Sequence, residues 1–113
     1  LKNLIILSNG ENISPEEIES KLLANELVGE VVITGENNGL CARIFPDPDY
    51  VEKEALSAEA VQTSLQAILD DYNKSQPSYR ALTGLVVRSY PFIKNSTKKI
   101  VRAKADIDTA PEE

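Results

Sequence analysis

Two apolar, partly β-branched runs on either side of a five-residue turn restrict this chain most. Val28 to Thr34 contains Val31, Val32, Ile33 and Thr34; Leu40 to Phe45 returns with Ile44 and Phe45. Such residues suit a pleated, half-buried surface. Gly35-Glu36-Asn37-Asn38-Gly39 between them is turn chemistry, so the two runs predict a β-hairpin. Pro46-Asp47-Pro48-Asp49 then breaks the returning strand. The stretch from there to Leu56 reads as an acidic, exposed loop. Asp47, Asp49, Glu52 and Glu54 lie in it, but there is no central glycine and no closing glutamate at calcium-loop spacing, so no metal site is expected.

A helix signal stands on each side of this hairpin. Ser14-Pro15-Glu16-Glu17 is a helix start: Ser14 as N-cap, Pro15 at the first helical position, and Glu17 closing a capping box. Ile13 and Ile18 can staple across it, and Ile18, Leu22 and Leu23 form the apolar stripe of a helix ending near Ala24 or Asn25. Ser57 caps a longer helix, from Ala58 to about Lys74. Its buried face is marked by Val61, Leu65, Ile68, Leu69 and Tyr72; Gln62, Gln66, Asp70 and Lys74 face solvent. Leu4 to Leu7 and Leu85 to Tyr90 read as strands at either end, the second stopped by Pro91. Gln76 to Arg80 is a connector, and Ile107 to Glu113 a frayed tail. The expected fold is α+β: a small, mainly antiparallel sheet of about three strands, with an N-terminal hairpin, packed with two helices.

Composition removes whole classes of chemistry. The chain has 113 residues and no histidine, so the commonest general base and zinc ligand is missing. The single cysteine, Cys41, lies in an apolar run and reads as a core residue. A net charge of −6 argues against general nucleic-acid binding. No apolar run is long enough for a membrane helix, and no signal peptide is visible, so a reducing, cytoplasmic setting is expected. The three Asn-x-Ser/Thr matches, at Asn12, Asn73 and Asn95, then carry no glycan. The chain opens on Leu1, inside a charged and apolar run, as a cut fragment or a domain boundary would.

The basic charge is concentrated. Five of the twelve basic residues, Lys94, Lys98, Lys99, Arg102 and Lys104, fall within eleven positions. The stretch Pro91 to Arg102 therefore combines a hydroxyl-rich segment, Asn95-Ser96-Thr97, with adjacent lysines after a strand. That arrangement suits an anionic group, usually a phosphate, although a solvated basic loop has the same composition.

A second segment decides between these readings. Lys2 to Glu19, with Asn9-Gly10-Glu11 and Ser14-Pro15-Glu16-Glu17 inside it, resembles the motif opening the C-terminal domain of AMP-forming acyl-CoA synthetases, members of the adenylate-forming superfamily. Pro91 to Arg102 resembles that superfamily's last motif. The two stand in the right order about 80 residues apart, and the resemblance covers essentially the whole chain, 1–113. The wording of both segments is closest to long-chain fatty acid–CoA ligases.

The resemblance implies a small lid domain whose large N-terminal partner domain is missing. Such enzymes join a fatty acid to ATP, giving an acyl-adenylate and pyrophosphate, and then pass the acyl group to coenzyme A. ATP and Mg2+ would be bound mainly by the N-terminal domain, which would also make any peripheral membrane contact. Lys99 matches the catalytic lysine and Lys2 the hinge position. Gly10, flanked by Asn9 and Glu11, matches a loop lining the coenzyme A tunnel, although its glycine could equally serve the turn alone. Thr97 and Lys98 are candidate phosphate contacts. The superfamily usually has glycine just before the catalytic lysine; here Lys98 stands there, and it is the alternative bearer of the role. Two other readings stay open: a free-standing anion-binding or interaction module, and the lid of an adenylating enzyme with a carrier-protein acceptor. As a lid the isolated chain is expected to fold but not to catalyse, since it holds no glycine-rich nucleotide loop.

Overall fold

The computed structural model describes residues 3–36 and 39–110. The chain enters through a small hairpin, β1 (Ile5–Ile6) and β2 (Asn12–Ile13), paired antiparallel. Helix α1 (Pro15–Leu23) follows, then β3 (Val28–Glu36) and β4 (Gly39–Pro46). Helices α2 (Pro48–Lys53) and α3 (Ala58–Lys74) lead to β5 (Leu82–Val87). The fold is α+β, as expected: a two-stranded sheet and a three-stranded sheet of order β3-β4-β5.

The predicted hairpin is β3–β4, antiparallel from Val28 opposite Pro46 to Glu36 opposite Gly39. The tip of its turn, residues 37–38, lies outside the described residues. Gly29 marks a register shift next to Val28, where an added Cβ would meet the Phe45 carbonyl oxygen at 2.9 Å, so only glycine lets the two backbones approach. Alternation along β3 gives the sheet two covered faces. Val31 and Ile33 join Ile18, Leu22, Val61, Leu65 and Leu69 in the main core under α1 and α3. Val32 points the other way, into a second cluster with Phe92 and Ala105. The C-terminal segment thus roofs the face opposite the helices. Cys41 is buried in β4, and burial pushes its thiol pKa up.

Several elements differ from the sequence reading. Strand β5 runs parallel to β4, because α3 supplies the long crossover that a parallel pairing needs. It begins at Leu82, not Leu85, since the Asn73 side chain on α3 accepts from Leu82 N–H at 2.8 Å and donates to its carbonyl at 3.0 Å. It ends at Val87, before Pro91, so proline is not the terminator. The acidic stretch after Pro46 contains α2, with Asp47 before it and Pro48 in its first turn; Tyr50 and Val51 pack on the core. The Ser14 hydroxyl makes no cap bond to backbone, so the capping box does not form; Pro15 does open the helix. Glu16, drawn to Asn3 and Ser14, occupies that hydroxyl at 3.4 Å.

The tail is also held more firmly than expected up to Asp108. Arg88 is buried just past β5 and acts as its anchor. Its guanidinium donates to the carbonyls of Ala105 at 2.6 Å, Ile107 at 2.7 Å, Tyr90 at 3.0 Å and Pro91 at 3.2 Å. It also stacks on the Phe92 ring, 3.9 Å from the centroid. The Asp108 carboxylate accepts from Ser89 and Tyr90 N–H, each at 2.9 Å.

Candidate functional site

The segment after Arg88 is built to hold a short loop still. Phe92 is buried, and its N–H donates to Glu30 Oε1 on β3 at 2.9 Å. Lys94 pairs with the other oxygen of Glu30, Nζ to Oε2 2.6 Å. From there the chain folds back on itself. Lys94 and Ile100 form an antiparallel bridge, and Val101 N–H donates to the Ile93 carbonyl at 2.8 Å. Asn95 N–H donates to the Lys99 carbonyl at 2.9 Å and Lys98 N–H to the Asn95 carbonyl at 3.0 Å.

Asn95 closes the tip. Its Oδ1 accepts from Thr97 N–H at 2.9 Å, from the Thr97 hydroxyl at 2.7 Å and from Lys99 N–H at 3.1 Å. Asparagine is suited to this because its short side chain reaches its own backbone two residues on. The backbone donors of Thr97, Lys98 and Lys99 are therefore spent inside the loop, and so is the Thr97 hydroxyl. What the tip offers to a ligand is ammonium charge beside the exposed Ser96. Thr97, Lys98 and Lys99 are exposed, and among the described residues neither of these lysines makes an ion pair, unlike Lys94.

Lys98 sits at φ 69°, in the left-handed region that normally favours glycine. The tip thus demands a conformation that glycine adopts without strain, and this chain meets it with lysine. Lys99, the next residue, keeps its place on the returning arm. It lines a groove of about 540 Å³ with Asn3, Glu16, Ile100 and Arg102.

One wall of that groove is an ion-pair network absent from the sequence reading. Arg102 makes a two-pronged contact with Glu19 on α1: Nη1 donates to Oε2 at 2.7 Å, and Nη2 pairs with Oε1. Glu19 is buried and also accepts from Ile33 N–H at 2.8 Å, covering the open edge of β3. Glu16, one turn earlier, lies 3.7 Å from Arg102 and accepts from the Asn3 side-chain amide at 2.6 Å. The Asn3 bond, aided by Arg102, holds the Glu16 carboxyl below the usual glutamate range, and the Glu19 bonds raise the pKa of Arg102 further.

The first motif forms a separate loop. Gly10 takes φ 89° in the β1–β2 turn, with its N–H donating to the Leu7 carbonyl at 2.9 Å. Asn9 Oδ1 accepts from Glu11 N–H at 3.0 Å. A Cβ on Gly10 would meet nothing within 4 Å, so backbone angle, not crowding, requires glycine within this chain. Asn9, Gly10 and Glu11 are exposed, and none of them lines the Lys99 groove. The structure therefore gathers Thr97, Lys98 and Lys99 on one tip and Asn9, Gly10 and Glu11 on another. The hinge candidate Lys2 lies outside the described residues; its neighbour Asn3 lines the groove.

Known proteins share this fold. The sequence model of the AMP-binding enzyme C-terminal domain matches residues 2–109. Among solved structures, the A-PCP didomain of carboxylic acid reductase from Segniliparus rugosus, in complex with AMP, is 24% identical with a TM-score of 0.71; the match covers 91% of this chain and 16% of that one. The fatty acyl CoA synthetase of Mycobacterium tuberculosis is 23% identical with a TM-score of 0.62, over 88% of this chain and 18% of that one. The o-succinylbenzoate CoA synthetase of Bacillus subtilis, in complex with its acyl-adenylate intermediate, is 23% identical with a TM-score of 0.67, over 97% of this chain and 21% of that one. The chain thus spans about a fifth or less of the structures it resembles. On the strength of the match over residues 2–109, it belongs to the AMP-binding enzyme C-terminal domain family, the small domain of adenylate-forming enzymes.

Proposed function

We propose that residues 1–113 form the mobile lid of an ATP-dependent, AMP-forming fatty acid–CoA ligase, and that Lys99 is its adenylation lysine. One observation carries the reading: Lys99 stands exposed and without an ion pair among the described residues, on a tip whose backbone donors are closed on Asn95. ATP and Mg2+ belong to the large N-terminal domain. In the first step the fatty acid carboxylate attacks the α-phosphate and pyrophosphate leaves. A carboxylate is already ionised, so the step needs charge stabilisation and placement rather than a base, and a chain without histidine can serve it. The Lys99 ammonium bridges the acyl oxygen and the α-phosphate as negative charge develops. The rigid tip lets it do so with little reorganisation.

In the second step the lid turns about Lys2 and presents the Gly10 loop, with Asn9 and Glu11, to the pantetheine arm of coenzyme A. The open space beside Gly10 supports that role, because the loop's outer side is free for a partner. Thr97 is a weaker phosphate contact than Lys98, its hydroxyl being given to Asn95. Coenzyme A as acceptor is supported by the two CoA synthetases among the similar structures, and a fatty acid as substrate by the fatty acyl CoA synthetase. A carrier-protein acceptor is the second reading, supported by the A-PCP didomain among the similar structures.

The test is pyrophosphate exchange by the full-length enzyme carrying Lys99→Ala or Lys98→Ala. Exchange should fall about 10²–10³-fold for Lys99→Ala, the loss typical of one preorganised donor, and far less for Lys98→Ala. The reverse order would move the role to Lys98. Equal rates for both variants and the parent would remove the lid reading. Supplying coenzyme A or a pantetheinylated carrier to the same enzyme distinguishes the two acceptors.

A further inference from the structure

The arm that carries Lys99 is tied to the body of the domain three residues further on. Arg102 is that tie, and its partner Glu19 is itself fixed twice, by the two-pronged contact and by Ile33 N–H at 2.8 Å. Ile33 is a buried core residue of the edge strand of the sheet, so the tie runs from the loop through α1 to the sheet. A guanidinium is suited to it. Its planar fork meets a carboxylate at two points and fixes direction as well as distance, which a lysine ammonium does not. Glu16 adds a second contact to the same guanidinium at 3.7 Å and passes the connection to Asn3, the residue after the hinge candidate. Arg102 and Lys99 line one groove.

We infer that Arg102, held by Glu19 and Glu16, is a positioning residue for Lys99: it sets where the returning arm of the loop stands relative to α1 and to the entry segment at Asn3. The inference rests on Lys99 being the adenylation lysine. It predicts a division between the two half-reactions. Adenylation uses Lys99 and depends on its placement, so loosening Arg102 slows that step. Thioester formation presents the Gly10 loop, which shares no hydrogen bond with Arg102. A misplacement of about 1 Å at a reacting group can cost about 10²-fold in rate.

The experiment uses the full-length enzyme with Arg102→Met, Arg102→Lys, Glu16→Gln and, as reference, Lys99→Ala. Arg102→Met removes both prongs. Arg102→Lys keeps charge but loses the fork, and Glu16→Gln changes only the half-exposed carboxylate. For Arg102→Met the adenylation kcat should fall roughly 10–100-fold with the KM for ATP within about twofold. Arg102→Lys should fall between Arg102→Met and the parent. Glu16→Gln, which leaves the Glu19 contact intact, should lower the same kcat severalfold at a temperature where the variant is still fully folded. Thioester formation from a pre-made acyl-adenylate should be unchanged in all three. Equal losses in both half-reactions, or a full adenylation rate in Arg102→Met while Lys99→Ala is slow, would overturn the positioning role and leave the Lys99 reading standing. A full rate in Lys99→Ala would remove both.

Discussion

At the scale of single residues, Lys98 shows most clearly how the loop geometry strains a side chain. A lysine at φ 69° carries strain of about 1 kcal/mol that a glycine would not. Lys98→Gly should therefore hold or raise stability by up to about 1 kcal/mol, while Lys98→Val, with a β-branched side chain at positive φ, should lower it by more. Urea unfolding of the isolated chain checks both; a Lys98→Gly variant clearly weaker than the parent would contradict the loop geometry. Glu16 gives a pH signature. Its folded pKa is depressed mainly by the Asn3 bond, and less by the Arg102 charge. It therefore contributes stability above the usual glutamate pKa of about 4.3, and that contribution is lost as pH falls through the lower folded value. The acid limb of a stability–pH curve should accordingly become shallower in Glu16→Gln. An identical limb in variant and parent would contradict the contact.

At the scale of elements, the C-terminal roof depends on Arg88. Four carbonyls accept from its guanidinium, and the second cluster of Val32, Phe92 and Ala105 packs beneath the same segment. Arg88→Met should cost on the order of 3 kcal/mol, because the buried Ala105 carbonyl and three part-buried ones lose a charged donor. Amide exchange should rise most over 89–108, with less change in α1 and α3; exchange spread evenly over the chain would contradict the anchor. Much of this scaffold was legible beforehand. The β-branched runs around Gly35–Gly39 gave away β3–β4, and the apolar spacing from Val61 to Leu69 gave away α3. The parallel placement of β5 was not, because pairing direction depends on how the α3 crossover packs and leaves no local trace. Helix α2 did leave one, Asp47 before Pro48, which the density of acidic residues masked.

The candidate site was legible in the same uneven way. Lys99 and Gly10 stand in short motifs that can be read along the chain. The Asx turn of Asn95 was open to the same reading, through the Asn-x-Thr spacing. Arg102 and Glu19 are 83 residues apart, and only the folded chain brings them together. Arg88 looked like one more polar residue in a strand, although its burial makes it the anchor of everything after it.

At the scale of the whole molecule, the proposed function divides the domain's work between two tips. One presents Lys98 and Lys99 on a hairpin closed by Asn95; the other presents Asn9, Gly10 and Glu11 on the β1–β2 turn. Leu7 and Ile13 beside one tip, and Phe92 and Ile100 beside the other, pack into the body of the domain, so both tips are carried on it. A lid that serves two chemical steps by turning needs this division: each step finds a different prepared surface, and neither loop has to be rebuilt. The most direct measurement of that claim is the ratio of the two half-reactions in the full-length enzyme with Lys99→Ala. Pyrophosphate exchange should fall about 10²–10³-fold while thioester formation from a supplied acyl-adenylate stays near the parent rate. Equal survival of both half-reactions would contradict the account and return Lys99 to an ordinary solvated lysine.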